Sequence, residues 1–242
     1  MKKTLLLVAA ALLLLPLAAN AQGEWQRLKT GSVSFRVGYF YPSGGSDIWE
    51  LNTYDFTYEV ADFNHYIVGF EVNWFATRFI TLGFGVDFYS RTVGSEYVDY
   101  VDQYGDSIFQ EFSLKITPVT ATVKFMPLGN GSPGYRGRRG SPIVPWVGGG
   151  VGVYPFTYEE YGEFIDFTDM TIFEGDFITE ESAVAFGFHV AGGVVVPMGF
   201  DWDVFGEVRY AYVEGDLGDD FLGFEPIDLG GLSVFFGASY RF

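Results

Sequence analysis

The chain has no cysteine. That excludes a disulfide framework, a thiolate metal site and a cysteine nucleophile. Histidine is nearly absent too, with two residues in 242. Basic residues are few: 14 Lys and Arg stand against 31 Asp and Glu, a net charge of −17. A nucleic-acid partner is thereby excluded, because phosphate binding needs a basic surface. Beyond the N-terminal segment there is no apolar run near the ~18 residues of a spanning helix.

The chain does have glycine (32 residues), aromatics (19%) and an overall hydrophobic content of 48%. That mixture points to strands and tight turns around a crowded interior, and the length suits one all-β domain. The N-terminus reads as a processing signal. Lys2 and Lys3 precede an apolar stretch from Leu5 to Leu15, and Ala19-Asn20-Ala21 follows as a small-residue cleavage site. The expected mature domain is 22–242, beginning at Gln22, after a cleaved signal peptide of residues 1–21.

The remaining sequence alternates with a period of two, as strands do. The last stretch is the clearest: Leu232, Val234, Phe236, Ala238, Tyr240 and Phe242 share one face, and Ser233, Phe235, Gly237, Ser239 and Arg241 the other. Seven more strands are expected at about 32–41, 67–75, 79–91, 112–125, 143–154, 183–196 and 203–212. In the fourth, the apolar set changes phase across Pro118, from Phe112, Leu114 and Ile116 to Val119, Ala121, Val123 and Phe125, which reads as a β-bulge. Gly148-Gly149-Gly150 leaves the facing of the fifth open, although Val147, Val151 and Val153 share a side. Connections alternate long and short, the pattern of an outer-membrane barrel with long loops outside and short turns in the periplasm.

Charge supports that reading twice. Arg36, Glu71, Asp87, Arg91, Lys115, Lys124, Glu207, Arg209 and Arg241 all fall on the expected inward face. A lipid-facing Arg or Lys costs roughly 2–4 kcal/mol at the midplane, so their exclusion from the outer face is informative. In an eight-stranded barrel the interior is filled by side chains. Charges buried there must pair, and the nine are expected to form a lumen network. The second test concerns the loops. The expected long loops 42–66, 92–111, 155–182 and 213–229 carry 25 of the 31 acidic residues and no Lys or Arg.

Little points to chemistry. His189 faces the expected lumen, and His65 lies where the first loop meets the second strand. A lipid A-modifying hydrolase of the small-barrel kind known to carry His-x-Ser would need a serine where Ala191 stands. Ser182 and Ser233 have no visible base. Asp216, Asp219 and Asp220, like Glu159, Glu160 and Glu163, do not have calcium-loop spacing, so no metal and no cofactor is expected. Arg136, Arg138 and Arg139 form a short basic patch suited to phosphates of a membrane leaflet.

The sequence resembles the OmpA/OmpX-type outer-membrane β-barrel family over nearly the whole mature chain. The resemblance rests on the signal peptide, the alternating strands, Pro145-Trp146-Val147-Gly148-Gly149-Gly150-Val151-Gly152, Glu207-Val208-Arg209-Tyr210 and Tyr240-Arg241-Phe242. It implies an all-β, eight-stranded antiparallel up-and-down transmembrane barrel. Tyr240 and Phe242 would then serve as the signal read by the barrel assembly machinery. The peptidoglycan-binding domain of OmpA is not expected. The expectation is a monomeric, non-enzymatic outer-membrane protein with a structural or surface-interaction role toward an unidentified partner. It would sit in outer-membrane lipid, with loops extracellular and both termini periplasmic. The alternatives are a narrow channel for small solutes, a lipid A-modifying enzyme, and a soluble lipocalin-like barrel.

Overall fold

The computed structural model describes residues 29–102, 104–130, 143–166, 171–198, 201–218, 221 and 223–242. Its strands are β1 (Gly31–Pro42), β2 (His65–Trp74), β3 (Ile80–Val101), β4 (Ser107–Ile116), β5 (Val119–Phe125), β6 (Val144–Asp166), β7 (Thr171–Pro197), β8 (Trp202–Gly215), a two-residue β9 (Ile227–Asp228) and β10 (Gly231–Arg241). All pairings are antiparallel. β10 bonds to both β1 and β8, so the sheet closes into a ring of eight strands, with β4 and β5 acting as one wall strand. No helix among the described residues is long and apolar enough to cross a membrane. A closed barrel crosses without one, because every backbone donor in the wall finds a partner in its neighbour.

The outer surface is apolar over a defined band. Phe35, Phe70, Phe84, Phe88, Val151, Phe188, Val208 and Phe236 all point outward and are exposed. Trp74, Trp202, Tyr240 and Phe125 edge this band near the chain termini, and Tyr41, Tyr66, Tyr210 and Tyr212 edge it at the other end. Along β2, Tyr66 and Trp74 are about 27 Å apart. A strand tilt of roughly 40° brings that to about 20 Å of height, close to the ~25 Å band of a membrane barrel.

Two expectations about strand extent are corrected. Residues 92–101 and 107–111 are strand rather than loop, as are 155–166 and 171–182. The wall therefore rises past the apolar band at this end. Nor is there a bulge at Pro118. Tyr89 pairs with Ile116 and Val86 with Val119 in unbroken register, and on the other side Phe156 pairs with Ile116 and Val153 with Val119. The face does not change at Pro118; its surroundings do. Below Pro118 the apolar side chains Val119 and Val123 point out toward lipid, and above it Phe112, Leu114 and Ile116 point in and are buried. The inversion in the sequence marks the edge of the lipid band.

What they point into is a second core. The connection from β1 to β2 folds back as α1 (Asp47–Asp55) and a short 3-10 turn, Val60–Phe63. Ile48, Trp49, Phe56, Tyr58 and Phe63 are buried against Tyr97, Phe112, Tyr158 and Phe221. Ring centroids of Trp49 and Phe63 lie 5.0 Å apart, and those of Phe56 and Phe112 4.9 Å, in the edge-on geometry that aromatic quadrupoles favour. Thr57 N donates to Glu96 O and a bridge joins Phe56 to Tyr97, so the connection also covers the free edge of upper β3.

At the termini end, β10 is tied on both sides. Phe242 N donates to Gly31 O, Thr30 N to Phe242 O, and Arg241 N to Asp201 O. Deleting Tyr240–Phe242 removes these ladder closures, the inward Arg241 and the Tyr240–Trp202 ring contact at 5.3 Å. The truncated chain is expected to reach the outer membrane at clearly reduced levels, read as loss of the heat-modifiable band in membrane fractions. Wild-type levels would contradict this.

Candidate functional site: a closed lumen

The lumen is built from the inward parity of the wall strands. Arg36 comes from β1, Glu71 from β2, Asp87 from β3, Lys124 from β5, and Glu207 and Arg209 from β8. All six are buried. Three cations face three carboxylates, so the layer is neutral. Arg36 is its centre. Its Nε and Nη2 donate to the two Asp87 oxygens at 2.7 and 2.8 Å, and its Nη1 donates to Glu71 Oε2 at 3.1 Å. Arg209 Nη1 donates to Asp87 Oδ2 at 3.1 Å and its Nη2 to Glu207 Oε1 at 2.7 Å. Lys124 Nζ donates to Glu71 Oε1 and lies 3.9 Å from Glu207 Oε2. The two-oxygen grip of Arg36 on Asp87 is the strong, geometrically selective form of such a pair.

Local sequence allows this reach. Arg36 pairs with Gly69 on β2, and Gly69 pairs with Asp87 on β3. The guanidinium therefore crosses a strand to find its carboxylate. A Cβ on Gly69 would stand 2.0 Å from Asp87 Oδ1 and 2.6 Å from Val86 O, which leaves no room for any other residue. Two aromatic rings complete the layer. Phe235 lies under both arginines, with the Arg36 guanidinium 4.8 Å and that of Arg209 5.4 Å from its ring centre. Lys124 Nζ lies 4.6 Å from the Trp146 ring centre. Desolvated cations over aromatic faces gain on the order of 2 kcal/mol.

The nine expected network residues divide. Six form the layer just described. Arg241 is buried toward the termini end, where its Nε binds Asp203, a separate pair. Arg91 is half-buried near the other end, and its Nε donates to Asp62 O at 2.9 Å. Lys115 is a correction: with unbroken register through Pro118 it points outward, 54% exposed, 3.8 Å from Glu159. Sequence reasoning missed Asp203, although it shares the parity of Glu207 and Arg209 on β8. It also missed Phe235 and Trp146 as cation platforms. The expected signal-cleavage residues Ala19, Ala21 and Gln22 lie outside the described residues, as do Asp219, Asp220, Arg136, Arg138 and Arg139.

Small cavities of about 40 and about 30 Å³ lie within the barrel. The larger is lined by Ser34, Asn73, Asp203 and Ser239 toward the termini end, the smaller by Phe40, Tyr89, Tyr154 and Phe235 toward the other. Each has room for little more than a few water molecules. His189 Nε2 shares a hydrogen bond of 2.9 Å with Thr122 Oγ1. Ser233 is two strands away, roughly 10 Å, and Ser182 instead bonds Thr157. Glu159 and Glu160 point to opposite faces of β6 and share no ligand position.

Above the lipid band the second core holds, among the described residues, one buried carboxylate. Glu160 Oε1 accepts hydrogen bonds from Asn52 Nδ2 at 3.0 Å and Tyr158 OH at 2.9 Å. Burial raises its pKa, and the two donors only partly offset this. Burial and the nearby Glu160 charge also raise that of Tyr58. A carboxyl whose pKa is higher folded than unfolded stabilises the fold fully below the unfolded value, and the gain is lost as pH rises through the folded value. The second core is therefore expected to loosen as pH rises through the folded pKa of Glu160. Hydrogen exchange across 47–63 should quicken over that range, and Glu160→Gln should flatten the dependence. An unchanged profile in the variant would contradict the assignment.

No protein-family model and no curated protein matches the chain. Solved structures do. Neisserial surface protein A (NspA) aligns over 91% of this chain and 100% of its own, at 9% identity and a TM-score of 0.48. The outer membrane protein OprG from Pseudomonas aeruginosa aligns over 90% and 99%, at 14% and 0.46. Ail, the attachment invasion locus protein of Yersinia pestis, aligns over 88% and 99%, at 12% and 0.40. At identities and TM-scores this low, the likenesses carry no argument about this chain. The closed ring of eight antiparallel strands, with its apolar outer band and charged lumen, makes the chain in fold an eight-stranded antiparallel transmembrane β-barrel.

Proposed function

We propose that this is a non-enzymatic outer-membrane protein with a structural or surface-interaction role, neither a pore nor a catalyst. Its mature chain begins at Gln22, both termini are periplasmic, and the end bearing α1 is extracellular. The observation that carries the reading is double closure. A solute would have to cross the neutral six-charge layer around Arg36 and then the aromatic core around Trp49 and Phe63. Opening the first means parting charges buried in a low-dielectric interior, where each unpaired ion costs several kcal/mol. Opening the second means exposing rings that are now buried.

Other features support the same reading. The strands that rise past the lipid band, and the helix folded into them, form an ordered platform. Lining a passage would not require it. Its acidic composition gives it a definite electrostatic character toward partners. The lumen histidine His189 bonds the Thr122 hydroxyl, and this buried pair lines neither of the small cavities within the barrel. Tyr240 and Phe242, at the closing strand, suit a role in recognition by the barrel assembly machinery.

Single-channel recording tests the closure. The refolded, full-length mature barrel is expected to insert into planar bilayers in silence at moderate voltage. Stable, reproducible conductance steps from the wild-type protein would overturn the reading.

A further inference from the structure

One sector of the outer wall departs from the rest. At the α1 end of the lipid band the rim is aromatic on three neighbouring sectors, with Tyr41 on β1, Tyr66 on β2, and Tyr210 and Tyr212 on β8. On the β4–β6 sector the girdle is interrupted. The outward residues there are Lys115 and Thr157, paired across the ladder. Among the described residues, Lys115 and Arg91 are the cations at this end, and Arg91 is held by the Asp62 carbonyl. Lys115 is tied only loosely. It stands 3.8 Å from Glu159, beyond hydrogen-bonding distance, with its side chain 54% exposed.

Directly below, the wall is hollowed. Val119 pairs with Val153, Ala121 with Val151, and Val123 with Gly149, so the outward side chains of two neighbouring strands are small along the whole column. Phe84 on β3 and Phe186 on β7 stand proud on either flank, 57% and 76% exposed. The result is a trough of about 500 Å³ on the lipid-facing surface, lined by Phe84, Val119, Ala121, Val151, Val153 and Phe186. From Val119 to Ala121 it runs for roughly 7 Å along the strand. A bilayer-facing hollow of this shape is filled by hydrocarbon. Lys115, four residues and roughly 13 Å along the wall from Val119, faces the headgroup layer, where basic side chains attract anionic lipid.

We propose that this sector is a binding site for one phosphorylated lipid, with its phosphate on Lys115 and one acyl chain lying in the trough between Phe84 and Phe186. The site rests on the orientation proposed above only for which leaflet supplies the lipid. The chemistry is independent of it. Selectivity comes from the ammonium, which a zwitterionic headgroup engages less well. Retention comes from the trough, where a chain contacts the floor and both aromatic flanks.

The test uses the full mature barrel in nanodiscs of equal parts phosphatidylcholine and diphosphorylated lipid A. Both leaflets carry the probe, so a wrong orientation does not affect the outcome. The protein is transferred to mild detergent, and the lipid that stays bound is identified by native mass spectrometry. One lipid A per barrel is expected, in preference to phosphatidylcholine. Lys115→Gln is expected to cut retention about fivefold. Ala121→Phe, which fills the floor from outside the folded core, should do likewise, and both variants should keep the heat-modifiable band. Equal retention of the two lipids, or unchanged retention in both variants, would show annular lipid only and overturn the site. So would a dimer mass in place of a lipid adduct, which would assign the trough to a second copy of the chain.

Discussion

Everything inside this barrel depends on the neutrality of one layer. Three cations and three carboxylates are enclosed by the wall, with room beside them for only a few waters, and none can be spared without leaving a charge uncompensated. Coulomb attraction in such an interior is strong, but so is the cost of desolvation, and only well-matched geometry makes the balance favourable. Here the geometry comes from strand register. Arg36 stands level with Gly69 and Asp87 on successive strands, and the missing side chain of Gly69 lets the guanidinium through. Phe235, the lone aromatic on the inward face of β10, supplies a flat surface beneath both arginines. A slip of one residue would carry these charges to the lipid face, so the layer also fixes the register of the wall.

The second organising constraint is the change of solvent along the same strands. Within the lipid band the apolar side chains point out and the polar ones in. Beyond it the preference reverses, because the outside is now water and the inside is a core shared with α1. The chain achieves this without a kink. Phe112, Leu114 and Ile116 have the same parity as Lys124, and Lys115 the same parity as Val119. Two closures thus arise from one ladder, one built of charge and the other of aromatic rings.

This explains which parts were legible in the sequence. The eight-stranded barrel could be read because a lipid-facing strand has one simple rule, alternate apolar residues, and β2 and β10 obey it throughout. The six core charges could be read for the same reason. Lys115 was misplaced because the reversal above Pro118 looks, in one dimension, just like a bulge. Only the register of Ile116 and Val119 against β3 and β6 tells them apart. The strand portions 92–101 and 155–166 read as loops because they are acidic and outlast the bilayer, and strand length had been matched to the bilayer alone. The helix at 47–55 and the burial of Glu160 left no usable trace. They depend on side chains from distant segments, such as Tyr158 and Phe221, closing over a short stretch with little helical periodicity of its own.

The central claim, that the buried layer acts as a mutually dependent set, is tested most directly by a double-mutant cycle on Arg36 and Asp87, with unfolding in urea followed for barrels folded into lipid vesicles. Arg36→Met or Asp87→Leu alone leaves an unpaired charge and is predicted to cost about 3–5 kcal/mol. The double variant leaves Lys124 and Arg209 against Glu71 and Glu207, again neutral. It is predicted to lose clearly less than the sum of the two single variants. Costs that add to within about 0.5 kcal/mol would mean that the two residues act independently, and would contradict the account.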